Sequence, residues 1–178
     1  MNAVESQIQD SLVSVYNACA DWQAAVSSGH TLLTDVTNGR LRLAEPVASK
    51  QWHPDFDSDE VNADVEMSVI RAHKCTQQMR ACQQKLQRLA SRLRACARLD
   101  TANEHASSTI AVDVERLAQS MAEQARCAEA VLMDVVAVAA SDRDTLLCLT
   151  AAWTHQPYLD NNLLATVMAR AELGSQKL

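Results

Sequence analysis

Between residues 61 and 103 the apolar side chains keep a seven-residue beat. One row reads Val61, Ser68, Cys75, Cys82, Leu89 and Cys96; the other reads Val65, Ala72, Met79, Leu86 and Leu93. Two such rows put a narrow apolar stripe on one side of a continuous helix. A strand alternates with period two and gives no such spacing. The middle of the chain is therefore committed to one long helix. Turn formers agree with this, since 178 residues hold only three glycines and three prolines, well below average usage. The abundant Ala, Leu, Gln, Arg and Glu favour helix.

The same beat runs through residues 3–43. Ile8, Val15, Trp22 and Val36 make one row and Leu12, Cys19, Val26 and Leu33 the other. Gly29 falls on a seam position, which permits a close helix contact or a local bend. A third helix is expected from about 109 to 140, with Ile110, Leu117, Gln124 and Val131 on one row and Val114, Met121, Ala128, Val135 and Ala139 on the other. Ser107 and Ser108 are its candidate N-caps. Asp142 caps a short helix striped by Leu146, Leu149 and Trp153, with Asp144 at its positive end. Pro157 stops that helix. Asp160 caps a last one, through Leu163, Leu164, Val167 and Met168 to Gly174.

Residues 44–60, AEPVASKQWHPDFDSDE, carry two prolines and an acidic run and read as a linker. The expected fold is all-α: one helical domain over 1–178, an elongated bundle of three long coiled-coil-like helices plus a short C-terminal helical hairpin at about 142–174. Long seams must be buried. A three-helix bundle can do this, or a second chain can; so many seams with so few turns favour the second chain.

The formal net charge is −6 and the pI about 5.3, which argues against whole-surface binding to nucleic acid. Yet residues 67–99 hold no Asp or Glu and carry Arg71, Lys74, Arg80, Lys85, Arg88, Arg92, Arg94 and Arg98. The favoured reading sets this basic helix against acidic neighbours such as Asp113, Glu115, Glu123 and Glu129. The alternative is a docking face for an acidic partner or for RNA, although no aromatic residue interleaves with the charges for stacking. No apolar run approaches the roughly 20 residues of a membrane span. The start, MNAVESQIQDSL, has no basic region followed by an apolar one, so no secretory signal is expected.

Catalytic motifs are missing from the sequence. The glycines at 29, 39 and 174 are isolated, so no phosphate loop is possible, and His30, His53, His73, His105 and His155 are scattered. Cys75, Cys82 and Cys96 share one seam row, where Cys acts as a small hydrophobe. Seven residues of helix separate Cys75 from Cys82 by about 10 Å, too far for a disulfide or a shared zinc ion. Reduced thiols are expected. No enzymatic activity, cofactor or metal site is expected.

The six aromatics fall into three pairs: Tyr16 with Trp22, Trp52 with Phe56, and Trp153 with Tyr158. Trp22 is on a seam and Trp153 continues the Leu146–Leu149 stripe, so both are expected in the core. Trp52 and Phe56, in the linker, either fold back as a cap or dock a partner. His155, Gln156, Pro157 and Tyr158 lie past the stripe, at a turn, and are the first candidates for partner contact.

The stretch DRDTLLCLTAAWTHQPYL, residues 142–159, resembles the C-terminal signature of the cyclin-dependent kinase 2-interacting protein family, and ACADWQ, residues 18–23, resembles a second motif near its first helix. The resemblance implies a non-enzymatic, mainly nuclear helical adaptor, which is also cytoplasmic on this reading. It implies a second small helical protein as heterodimer partner and AAA+ ATPase subunits, in an assembly for large ribosomal subunit maturation and replisome protein turnover. It also implies links to DNA replication and to cell-cycle kinases. The kinase link has no local support, because the chain has no Ser-Pro, Thr-Pro or Arg-x-Leu. A coiled-coil tether in an unrelated complex, or an RNA-binding protein using the basic helix 67–99, are the alternatives.

Overall fold

The computed structural model describes residues 3–44, 57–99 and 104–175, all of them in helices or the short turns that join them. Five helices follow in order: α1 Ala3–Ala44, α2 Ser58–Ala97, α3 Glu104–Ala137, α4 Arg143–His155 and α5 Asn161–Ser175. The fold is all-α, as the heptads require. Trp52, Phe56 and most of the linker lie outside the described residues.

The residues group into two compact units. The first comprises Met1–Ala24, Gln78–Ala125 and Tyr158–Leu178. It combines stretches of α1, α2 and α3 with α5. Here Val15, Cys19, Trp22, Met79, Leu86, Leu93, Leu117 and Met121 are all at most 1% exposed, a continuous apolar core. Gly174 on α5 admits Leu12 of α1: a Cβ there would stand 2.5 Å from Leu12 Cδ1. Across helices, Arg94 pairs with Glu115 and Arg170 with Asp113.

The second unit comprises Ala25–Gln77 and Arg126–Pro157 and combines other stretches of α1, α2 and α3 with α4. Leu33, Val36, Ala72, Val135, Leu146 and Trp153 form its core. Polar contacts fix α1 within it. Thr37 Oγ1 and Thr150 Oγ1 share a 2.9 Å hydrogen bond, and the Arg40 guanidinium donates to the carbonyls of Val135 and Val138 at the end of α3. Those carbonyls have no helical partner of their own, so the cation both satisfies them and meets the negative helix end.

Four expectations need correction. Ser58, Asp59 and Glu60 belong to α2 rather than to a linker. Asp57 Oδ1 accepts from the N–H groups of Asp59 at 2.8 Å and Glu60 at 3.3 Å, and the acidic run faces the positive helix end. Helix α3 starts at Glu104, so Ser107 and Ser108 are not its caps; no glycine or proline interrupts 104–108, and the backbone propagates through them. The seams do not wait for a second chain. Val15, Trp22, Leu33, Val36, Leu86, Leu93, Leu117 and Met121 are all at most 1% exposed within this one. Last, the basic helix meets its expected acidic neighbours only in part. Arg94 pairs with Glu115, whereas Arg88 and Arg92 project from an exposed face without an ion pair among the described residues.

Candidate functional site

The turn after α4 is built from its supports outward. Asp142 Oδ1 accepts from the Thr145 N–H at 3.2 Å and starts α4. Leu146 and Trp153, two helical turns apart, then fall on one face and are both buried. Trp153 is 1% exposed, and its indole Nε1 donates to the Val26 carbonyl of α1 at 3.0 Å. A ring of that size fits because Gly29 has no side chain: a Cβ there would stand 2.1 Å from Trp153 Cζ2. The seam glycine is a socket for the tryptophan. At the next residue of each helix, Thr154 Oγ1 and His30 Nδ1 lie 2.7 Å apart, a second polar tie from α4 to α1.

Helix α4 ends at His155, and Gln156 turns into the left-handed region at φ 46°, ψ 62°. It is the only non-glycine residue with positive φ among those described, and that conformation costs roughly 1–2 kcal/mol. The next residue is Pro157, which cannot extend the helix. His155 and Pro157 are exposed and Gln156 is half-buried. These belong to the second unit.

Tyr158 belongs to the first unit. Its backbone N–H donates to Gln124 Oε1 at 3.1 Å, while its ring is 56% exposed. Gln124 is fully buried, and its Nε2 has no hydrogen-bond partner among the described residues. A buried amide left half-satisfied carries a real penalty, so its position is set by the one bond it makes. Leu159 is then buried, and Asp160 Oδ1 accepts from the Leu163 N–H at 2.9 Å to start α5.

Trp22 and Trp153 are thus core residues, as expected, one in each unit. His155, Pro157 and Tyr158 are exposed and Gln156 partly so; Trp52 and Phe56 lie outside the described residues. Sequence reasoning missed two supports. Gln124 was legible as a polar residue on an apolar seam row, the mark of a specific hydrogen bond. The Thr154–His30 tie left no pattern, because both residues sit off the seams.

The thiols are quiet. Burial, with Cys82 nearby, pushes the Cys19 thiol up to about 12, and burial also raises Cys75, Cys82 and Cys127. A raised pKa keeps these groups as neutral thiols at neutral pH, and thiolate is the reactive form. All six cysteines are free, and Cys148 is exposed. In the folded protein, iodoacetamide at pH 8 is therefore expected to label Cys148 and leave Cys19 unmodified until denaturant is added, as peptide mass mapping will read. Early labelling of Cys19 would mean that the first unit opens readily.

Elsewhere in the second unit a cleft of about 380 Å³ is lined by Asp35 and Asp64 together with Arg42 and Arg71, so opposite charges offset each other there. Among the described residues no three His, Cys, Asp or Glu side chains come together to hold a metal ion, and no helix is long and apolar enough to cross a membrane. No protein-family model and no curated protein matches the chain.

Proposed function

We propose that the chain is a non-enzymatic helical adaptor. It is a subunit of a nuclear AAA+ ATPase assembly that acts in large ribosomal subunit maturation and replisome protein turnover, with links to DNA replication and checkpoint signalling. The resemblance of residues 142–159 and 18–23 to the cyclin-dependent kinase 2-interacting family suggests the assembly. The observation that carries the adaptor reading is the contrast within His155–Tyr158 and the residue that anchors it: Trp153 is 1% exposed, whereas Tyr158 is 56% exposed. A turn kept only for packing has no need to present a histidine and a tyrosine to solvent, and Tyr is enriched where one protein binds another. In this reading His155, Gln156 and Tyr158 contact a partner, and Trp52 and Phe56 are the next candidates. The seams are already filled by the chain itself, so the small helical partner meets outer faces.

The test is affinity purification from cells of the native source, with the wild-type chain and a His155→Ala/Tyr158→Ala variant. The variant is expected to melt within about 0.5 kcal/mol of wild type, as surface substitutions do, and to recover much less of the ATPase subunits. A wild-type purification without ATPase subunits rejects the assembly. A variant that unfolds like a core mutant, yet binds normally when kept cold, makes the turn a structural corner only.

A further inference from the structure

We propose that the outer face of α2 in the first unit docks an acidic helix of a partner protein. This surface is separate from the turn at 155–158 and does not depend on the function assigned above. Ala81, Lys85, Arg88, Arg92 and Ala95 follow one another at intervals of four, three, four and three residues, and all are exposed. That spacing draws a straight stripe along a helix. It lies on the flank of the helix, about a third of a turn round from the buried row of Met79, Cys82, Leu86, Leu89 and Leu93. Leu99, 69% exposed, stands in the turn just past the helix end.

The stripe is cationic; Asp21 of α1 lies near its Lys85 end, close enough to act with Lys85 on the Cys82 thiol, but the two arginines have no such partner among the described residues. Residues 67–99 contain no Asp or Glu. In the same unit Glu115 is engaged by Arg94 and Asp113 by Arg170. Neither Arg88 nor Arg92 makes an ion pair among the described residues. Like charges held three and four residues apart on a helix repel one another, and an anionic surface laid along the stripe relieves that repulsion.

The occupant follows from the same residues. No large apolar side chain is exposed on α2 between Arg71 and Arg98, so an apolar groove binder gains nothing here. A nucleic acid is disfavoured by the net charge of −6 and by the absence of any aromatic residue on α2 for base stacking. An acidic helix fits in register. Both helices rise about 1.5 Å per residue, so carboxylates at three- and four-residue spacing meet Lys85, Arg88 and Arg92 in turn. Ala81 and Ala95 flank the cations with short side chains that let the partner backbone approach, and Leu99 gives an apolar contact at one end.

The experiment uses the full chain and a fluorescently labelled amphipathic helical peptide with glutamates at that spacing. Its controls are the same peptide with glutamines, one with lysines, and labelled single-stranded and duplex RNA. The glutamate peptide is expected to bind on the order of tenfold more tightly than the glutamine peptide, since solvent-facing pairs are individually weak but additive in steering and register. The Arg88→Glu/Arg92→Glu variant is expected to keep the wild-type melting temperature, lose the glutamate peptide and gain the lysine peptide. Arg88→Gln/Arg92→Gln serves if the reversal disturbs folding, and it is expected to lose the glutamate peptide alone. Equal binding of glutamate and glutamine peptides overturns the proposal. So does tighter binding of either RNA, or a glutamate-peptide affinity that both variants leave unchanged. Self-association of the wild-type chain that the reversal abolishes would make a second copy the occupant and would also overturn it.

Discussion

Trp153→Ala is expected to remove about 3–5 kcal/mol of stability, at least a fifth of the roughly 5–15 kcal/mol that holds a typical domain. The size of the loss follows from the wall of the pocket. The ring is 1% exposed and lies against Gly29. A glycine has no side chain that could swing into the vacated space, so the cavity closes only if whole helices move. The indole also donates to the Val26 carbonyl, a bond the alanine cannot replace. Urea denaturation followed by circular dichroism reads the change as a shift of midpoint at constant slope. A loss below about 1 kcal/mol would mean that α4 repacks freely, and Trp153 would then not be the anchor of the turn that follows it.

How much of this was legible beforehand depends on the range of the signal. The seams were. A heptad row is a local periodicity, and Val15, Trp22, Leu33 and Val36 on α1 or Met79, Leu86 and Leu93 on α2 were placed in the core by spacing alone and are buried. The caps Asp142 and Asp160 were legible too, because a cap acts three residues away. What failed was long-range or competitive. The acidic run at 57–60 suits a loop and a helix start equally, and only the bonds from Asp57 decide for the helix. The basic stretch 67–99 was expected to face acidic neighbours, and Arg94 does meet Glu115, but charge patterning along one helix does not say which residues of another will face it. Asp113 pairs instead with Arg170 of α5. Around the candidate site, Trp153 was expected in the core and the turn after it at the surface, and their burial agrees. The atom that holds Tyr158, Gln124 Oε1, is 34 residues upstream, where no local pattern connects the two.

Gly29→Ala is expected to change sign with its background. In the wild-type chain the added Cβ meets Trp153 Cζ2 at 2.1 Å and Cε2 at 2.7 Å. The ring is boxed in by burial and by its bond to Val26, so it cannot move aside cheaply, and overpacking of this kind costs about 1–3 kcal/mol. Against this, alanine inside a helix gains up to about 1 kcal/mol over glycine. The net effect is a loss. With Trp153 already replaced by alanine, the clash is gone, the helix preference remains, and the new methyl fills part of the cavity, so the same substitution stabilises. The two changes should therefore couple by about 2–3 kcal/mol, the upper end of what contacting residues show. Urea midpoints for the four proteins measure the coupling directly. Gly39→Ala is the control. Its Cβ would meet Val65 Cγ2 at 2.4 Å, in the same unit but against a different neighbour, so its cost should be the same whether or not Trp153 is present. If Gly29→Ala also costs the same in both backgrounds, the glycine is there for its backbone and not for the ring. The close approach of α1 and α4 would then need another cause than the tryptophan seated between them.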